Sequence, residues 1–258
     1  MSVLSDYQYF LFDVDRTIAP NNGQIATPII QKLQSLIEHA NIAIVTSRCV
    51  HEGLELLAHA FFQKKTEHQL YFFTCSAGQA YSYDPATGGL LKLYDKAKGD
   101  ANYQQYYQNF RQTFAALNIE IVEDLQYSEL TRQCQIQDRG AQVTIFFSNL
   151  ALREAYEQVL VEQGVSFLRH GRNTLHIVPP GVDKNLAVEY LDEGSGRFLV
   201  FADAFYDFPE NGRQGNDLAF TKFGSEKVTC INVGRDIPKT DSGVFYFPNA
   251  DLEEWELT

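Results

Sequence analysis

Two aspartates, Asp13 and Asp15, directly follow the apolar segment Tyr9–Phe12. The segment is typical of a buried strand, and both carboxylates point the same way if the extended geometry continues, because strand side chains alternate. Two anions so close repel each other unless a metal ion or a cationic group lies between them. Ligands of parallel α/β sheets bind at the carboxyl ends of the strands. The pair therefore predicts a cation and phosphate site on an α/β fold, with solvated turn residues as the alternative.

Two later segments also place polar residues at the ends of predicted elements. The apolar run Asn41–Val45 is followed by Thr46 and Ser47, whose hydroxyl groups can hold a phosphoryl oxygen. Lys184 lies near the start of a helical pattern in residues 186–191. A helix dipole disfavours a cation at this end, so a neighbouring phosphate or carboxylate would explain the lysine.

A further buried-strand pattern, in residues 197–202, ends at Asp203. The loop that follows closes with Asn216 and Asp217. Four separate strand or helix ends thus each contribute one part of a predicted phosphate and magnesium site.

The order of these segments resembles the four motifs of the haloacid dehalogenase superfamily of phosphotransferases, over essentially the whole chain. The chain is most similar to subfamily IIB, which includes Cof-type phosphatases, sucrose and trehalose phosphate phosphatases and eukaryotic-type phosphomannomutases. The matching residues are Asp13, Asp15 and Thr17 in the first motif, Thr46 or Ser47 in the second, Lys184 in the third, and Asp203 with Asn216 and Asp217 in the fourth. The resemblance implies an α/β fold in which a Rossmann-like core with a parallel sheet carries an inserted α/β cap of the C2 type.

The resemblance also implies a phosphoryl transfer in two steps. Asp13 would be the nucleophile and would form an aspartyl-phosphate. Asp15 would protonate the leaving oxygen and then deprotonate the incoming water. Lys184 would balance the charge that Asp13 shares with the transferred group.

Mg²⁺ is the implied cofactor, since it prefers octahedral oxygen ligands. The implied metal ligands are Asp13, the carbonyl of Asp15, Asp203, Asn216 and Asp217. The implied phosphate contacts are Thr17, Thr46, Ser47 and Lys184. Asp207, in the long loop of residues 204–215, could replace Asn216 or Asp217 at the metal. Arg16 stands where the family motif usually has Gly. Two roles are compatible with its side chain, a contact with the substrate or a solvated surface position.

The organisation along the chain predicts a core interrupted by a cap. Thr27 and Pro28 predict the start of a helix between the first two strands, which makes a βαβ beginning. The predicted core comprises residues 1–85 and 181–258, and the predicted cap comprises residues 86–180. Cap elements are predicted at residues 101–117, 133–137, 143–147 and 150–163, followed by two strands that meet at residues 171–173.

Several basic residues of the predicted cap are candidates for contacts with the distal part of a substrate. Arg139 is the one assigned to substrate binding. The others are each more typical of solvated surface positions: Arg132, Arg153, Arg169, His170, Arg172 and His176. None of the six histidines shows metalloprotease spacing, and none is assigned to catalysis.

Three functions are compatible with this pattern. A Mg²⁺-dependent phosphatase for a small phosphate monoester, which the resemblance implies to be a sugar phosphate, is preferred over a phosphomannomutase and over a noncatalytic phosphate-binding protein. The mutase branch holds a second phosphate with an Arg-Asn-Gly segment and a later Arg. Residues 138–140 match the first in part, but residues 147–149 contain no Arg. The Glu-Asn-Gly of that branch is replaced by Ser-Ala-Gly at residues 76–78, which also favours hydrolysis.

Composition limits the partners. A formal net charge of -12 over 258 residues argues against nucleic acid, because backbone binding requires Lys and Arg. Four scattered cysteines without a C-x-x-C pair predict reduced thiols in the cytoplasm. No window is long and apolar enough to span a bilayer, and residues 1–7 contain no basic or long apolar stretch, so a soluble, unprocessed protein that acts on a small phosphorylated metabolite is expected.

Overall fold

Two β-sheets organise the protein. The computed structural model describes residues 6–20, 23–61, 66–123, 125, 132–192, 194, 196–205, 215–233 and 244–246. The larger sheet contains β1 (Tyr9–Phe12), β2 (Asn41–Val45), β3 (Leu70–Thr74), β4 (Gln79–Asp84), β5 (Gly89–Asp95), β11 (Phe198–Ala202), β12 (Val228–Asn232) and β13 (Val244–Tyr246). The smaller sheet contains β6 (Glu120–Ile121), β7 (Gln133–Asp138), β8 (Val143–Phe147), β9 (Phe167–His170) and β10 (Thr174–Ile177). The helices are α1 (Thr27–Leu36), α2 (Leu54–Ala60), α3 (Lys96–Gly99), α4 (Ala101–Ala116), α5 (Leu150–Glu162), α6 (Leu186–Leu191) and a 3-10 helix (Asn216–Phe223).

The strand order of the larger sheet creates a crevice beside β1. The order is β13-β12-β11-β1-β2-β3-β4-β5, and the strands from β13 to β3 are parallel. The chain leaves β1 toward β2 on one side and later returns to β11 on the other, which makes β1 and β11 a switch point where ligands bind. Phe12 lies level with both Phe201 of β11 and Ile44 of β2, so the residues that follow these strands meet at one edge.

Burial explains why the central strands are apolar throughout. All residues of β1 and β11 are buried, because helices cover both faces of a parallel sheet. α1 begins at Thr27, with Pro28 in its first turn, and packs Ile29, Leu33 and Leu36 toward the sheet. The predicted βαβ beginning is therefore present.

The smaller sheet has its own core. Its order is β6-β7-β8-β10-β9, with antiparallel pairing except between β6 and β7. The buried aromatic residues of α4 and α5 pack on one another and on the sheet: Tyr103, Tyr106, Phe110, Phe114 and Tyr156. The predicted fold class, an α/β core with a parallel sheet and an inserted α/β unit, is confirmed.

The strand β5 lies at the edge of the larger sheet. It falls in the segment 86–180 that was predicted to be the cap, yet it pairs with β4 in the larger sheet. A tight hairpin turn keeps its two strands paired, so the turn at residues 84–89 extends the core sheet. The predicted boundaries of 1–85, 86–180 and 181–258 stay a prediction, and the strands of the smaller sheet all lie within residues 120–177.

The four cysteines are free thiols, and Cys75, Cys134 and Cys230 are buried. Among the described residues, no helix is both long and apolar enough to cross a bilayer. The cytoplasmic location stays a prediction.

Candidate functional site

Three carboxylates converge at the crevice beside β1. Asp13, Asp203 and Asp217 each offer an oxygen, and these oxygens lie within 4.8 Å of one another. Asp13 follows β1, and its backbone N–H donates to the carbonyl of Phe201 at 2.9 Å, which ties it to β11. Asp217 lies in the 3-10 helix and accepts a hydrogen bond from the backbone N–H of Ala204 at 2.9 Å. The pairing of β1 with β11 and the loop after β11 thus bring together residues that are distant in sequence.

Lys184 lies within this acidic cluster. Its ammonium group donates to Asp13 Oδ1 at 2.6 Å and to Asp217 Oδ1 at 2.5 Å, and the side chain is only 3% exposed. α6 begins two residues later, so the cation does lie near a helix start. Two carboxylates therefore stand where the sequence led us to expect an anion beside this lysine.

Burial disfavours the negative charges of Asp13 and Asp203. It raises the pKa of Asp13 to about 7, although Lys184 acts in the opposite direction. Burial, followed by the charges of Asp217 and Asp13, raises the pKa of Asp203 to about 8. Burial alone would lower the pKa of Lys184, but the two carboxylates raise it above its ordinary value. The lysine is therefore charged, and the acids still favour an additional cation.

The oxygen donors of the cluster fit Mg²⁺. Besides the three carboxylates, Asn216 Oδ1 is buried and has no hydrogen-bond partner among the described residues. Buried carbonyl oxygens require a donor or a cation, and an all-oxygen ligand set is the one that Mg²⁺ prefers. Asp207, the alternative ligand, lies outside the described residues.

The cluster predicts a pH-dependent stability for the protein without a divalent cation. The pKa of an aspartate in the unfolded chain is near 3.8, whereas the pKa values of Asp13 and Asp203 are raised in the folded protein. Between about pH 4 and 8 the folded state therefore binds more protons than the unfolded state. The free energy of unfolding must then fall as the pH rises through 7 and 8. We expect urea denaturation in EDTA to show lower stability at about pH 8.5 than at about pH 7, and Mg²⁺ to remove most of the difference.

The same measurement on Asp203→Asn serves as its control, because this variant lacks one of the titrating acids. Its stability should change less over that interval. A free energy of unfolding that rises from about pH 7 to about pH 8.5 in EDTA would contradict the assignment of raised pKa values.

Asp15 forms an ion pair with Arg48. Arg48 Nε and a terminal nitrogen donate to the two oxygens of Asp15 at 3.0 and 2.5 Å, a bidentate pair. Arg48 also donates to the carbonyl of Gly23 at 3.0 Å, which fixes the guanidinium in place. The sequence interpretation did not identify Arg48; its position directly after the two strand-end hydroxyl residues was the available signal.

Arg16 occupies a left-handed backbone conformation, with φ of 61°. Its N–H donates to the carbonyl of Ala19 at 2.7 Å and closes a tight turn after Asp15. Such a φ is most easily adopted by Gly, which explains why a glycine suits this position and why an arginine here carries backbone strain. The Arg16 side chain is 65% exposed and lies 4.0 Å from Asp203.

The residues predicted to supply hydroxyl contacts have different partners. Thr17 Oγ1 donates to Asp13 Oδ2 at 3.4 Å. Thr46 is buried after β2, and its Oγ1 accepts from the N–H of Arg48 at 3.1 Å. The carbonyl of Ser47 accepts from Arg139 at 3.1 Å. Thr17 thus belongs to the acidic cluster, while Thr46 and Ser47 shape the neighbouring loop.

Arg139 joins the smaller sheet to the core. Its guanidinium donates to the carbonyl of Ser47, to Thr144 Oγ1 at 2.9 Å and to Glu52 Oε1 at 2.9 Å. These bonds place a partly buried ion pair between the end of β7 and the loop after β2. Its assignment to substrate binding stays a prediction, and its observed contacts are with the protein.

The loop after β3 has a strained backbone and also connects the larger sheet to the segment that carries the smaller sheet. Cys75, Ser76 and Ala77, which follow β3, have φ values of 53°, 56° and 66°. Successive non-glycine residues in this region cost energy and persist only where the surroundings hold them. Ser76 Oγ donates to Oε1 of Gln142, the residue directly before β8, at 2.8 Å. Sequence patterns offered no signal for this loop, because residues of these types rarely adopt a left-handed conformation.

Comparisons with known proteins address the fold. No protein-family model and no curated protein sequence match the chain. A solved structure described as a trehalose-6-phosphate phosphatase related protein is similar with a TM-score of 0.59 and 13% identity, covering 95% of this chain and 93% of that one. The sucrose-phosphatase of Synechocystis sp. PCC6803, in complex with sucrose and phosphate, has a TM-score of 0.55 and 17% identity over 96% of both chains.

A third similar structure is a haloacid dehalogenase-like hydrolase from Bacteroides thetaiotaomicron, with a TM-score of 0.53 and 14% identity, covering 76% of this chain and 82% of that one. At such low identity the likeness concerns the backbone arrangement. The protein therefore has the fold of the haloacid dehalogenase-like hydrolases.

Proposed function

We propose that the protein is a Mg²⁺-dependent phosphatase that hydrolyses a small phosphate monoester of the sugar phosphate class. The observation that carries the proposal is the group of Asp13, Asp203 and Asp217 around the buried Lys184 at the switch point of the sheet. Phosphoryl transfer depends mainly on positioning and on neutralising charge, and this group offers a nucleophile, a cation and oxygen ligands within a few ångströms.

In the proposed mechanism, a carboxylate oxygen of Asp13 attacks the phosphorus and the ester oxygen leaves with a proton from Asp15. Asp15 then takes a proton from water, whose oxygen attacks the aspartyl-phosphate and releases inorganic phosphate and free Asp13. Lys184 holds Asp13 in place and stabilises the charge that develops on the phosphoryl oxygens. Asp13, Asp203, Asp217 and the carboxamide oxygen of Asn216 would hold Mg²⁺, which when bound supplies further neutralisation of those oxygens.

Two observations support hydrolysis of a sugar phosphate over transfer between sugar positions. Two of the structures with a similar fold are described as acting on, or as related to proteins that act on, disaccharide phosphates. A mutase also needs a second phosphate site in the cap. Arg139 belongs to the segment that partly resembles such a site, but its guanidinium donates to Ser47 and Glu52 of the protein itself. Retention of the acids and the lysine argues against a noncatalytic phosphate-binding protein.

The proposal is tested by measuring release of inorganic phosphate from a panel that contains disaccharide phosphates, hexose phosphates, nucleoside monophosphates and an aryl phosphate. Turnover that requires Mg²⁺ and is lost in EDTA supports the proposal. Mannose 1-phosphate with a catalytic amount of the bisphosphate is added as a separate sample. Accumulation of mannose 6-phosphate without inorganic phosphate would favour the mutase, and no reaction with any phosphate ester would reject catalysis.

Arg48 provides a prediction about Asp15. Arg48→Lys cannot form the bidentate pair, so Asp15 loses its fixed orientation. We expect kcat on the best substrate to fall by about 10- to 100-fold, with a smaller change in KM, since Asp15 acts on the proton and not on substrate affinity. Arg132→Lys, at an exposed arginine that donates to the carbonyl of Leu117, is the matched control and should keep its activity. Equal kcat in Arg48→Lys and the wild type would argue against a role for this pair.

A further inference from the structure

His170 links the smaller sheet to the proposed cation site. It ends β9, and its Nδ1 lies 3.2 Å from Nδ2 of Asn216, the residue directly before Asp217. The charges of Lys184 and Asp217 both act on the pKa of its imidazole, so the ring lies within the electrostatic reach of the acidic cluster. A cap residue therefore contacts a core residue that lies beside the three carboxylates.

The ring of His170 packs against His176, which is part of a buried hydrogen-bond network. Its centroid lies 4.7 Å from that of His176, which is 2% exposed. The Nδ1 atom of His176 lies 3.0 Å from the amide nitrogen of Gln142 and 2.9 Å from Thr144 Oγ1, and that amide nitrogen also donates to the carbonyl of Ser47 at 3.3 Å. These contacts hold the buried ring of His176 in place against His170.

The contact with His170 determines which end of the Asn216 carboxamide is free. The amide nitrogen faces His170 Nδ1 as a donor, and Oδ1 is left buried without a partner among the described residues. An unpaired buried carbonyl oxygen is energetically unfavourable. The opposite orientation would leave the NH₂ group free, and an amide nitrogen with its protons is no ligand for a cation. The observed orientation is thus the one that suits a cation or its bound water.

We propose that His170 is a positioning residue which orients Asn216 so that its carboxamide oxygen faces the cation site of Asp13, Asp203 and Asp217. The inference rests on the metal site of the proposed function. Because His170 belongs to the smaller sheet and Asn216 to the core, cation binding and docking of the smaller sheet favour each other. The cation site of the core is therefore complete only when the cap is docked.

Two substitutions at His170 separate hydrogen bonding from packing. His170→Phe keeps a ring against His176 and removes the acceptor, whereas His170→Asn removes the ring and places a carboxamide oxygen where Nδ1 was. Binding of Mn²⁺ to the full chain without substrate is measured from the signal of free Mn²⁺ in electron paramagnetic resonance. We expect His170→Phe to lower the affinity about tenfold or more and His170→Asn to stay within about twofold of the wild type. Arg169→Ala, on the same strand, is the control and should bind as the wild type does.

Wild-type Mn²⁺ affinity in a folded His170→Phe, or equal losses in the Phe and Asn variants, would overturn the inference, since the second result indicates packing alone. If His170→Phe does not fold, Asn216→Leu takes its place, and unchanged affinity in that variant also overturns it. Failure of the wild type to bind Mn²⁺ is a different result, because it rejects the cation site of the proposed function. Binding by the wild type with the pattern expected above supports both.

Discussion

Asp13→Asn is expected to lose Mg²⁺-dependent release of phosphate from an aryl phosphate by at least about a thousandfold. An amide has no negative charge with which to attack phosphorus. Of the three carboxylates grouped around Lys184, Asp13 is the one that follows β1. The variant should fold, because Lys184 keeps its hydrogen bond to Asp217. Initial rates at saturating Mg²⁺, together with circular dichroism, provide the measurement.

Asp84→Asn is the matched control for this variant. Asp84 is the last residue of β4, where it accepts from the N–H of Ala86 at 2.9 Å, and an asparagine can accept in the same way. Its rate should equal that of the wild type. Full activity in Asp13→Asn would remove the nucleophile assignment and the proposed two-step mechanism with it.

Lys184→Met is expected to have the largest effect on stability. It removes the cation that pairs with Asp13 and Asp217 and leaves their buried charges uncompensated. Loss of one partner of a buried ion pair costs about 3–5 kcal/mol. The free energy of unfolding from urea denaturation at about pH 8.5 in EDTA should fall by that amount, and the rate of phosphate release should fall about a hundredfold or more.

The cause of this loss can be tested in the same variant. If uncompensated charge is responsible, Mg²⁺ or a pH near 7 should restore part of the stability, because each neutralises carboxylates. Lys222→Met removes a lysine that pairs with Asp183 at an exposed site, and it should cost less than about 1 kcal/mol. A Lys184→Met protein as stable in EDTA as Lys222→Met would contradict the buried-pair interpretation.

The pattern of apolar segments was sufficient to predict the elements that frame the site. β1, β2 and β11 are continuous apolar runs with polar residues directly after them, and that local pattern is what a central parallel strand requires. The helical pattern after Lys184 was equally local. The expectation that Asp13 and Asp203 lie together followed from topology, since parallel neighbours end at one edge of a sheet.

Other features depended on contacts between segments that are far apart in the chain. The pairing of Arg48 with Asp15, the place of Arg139 between the two sheets and the contact of His170 with Asn216 join residues that are 33, 92 and 46 positions apart. A charged or polar side chain has the same sequence signature whether it meets solvent, a substrate or another part of the protein. Local patterns therefore specified which residues end the strands, whereas packing of the smaller sheet on the core decided which partner each polar group meets, because hydrogen bonds depend on distances that only the folded chain defines.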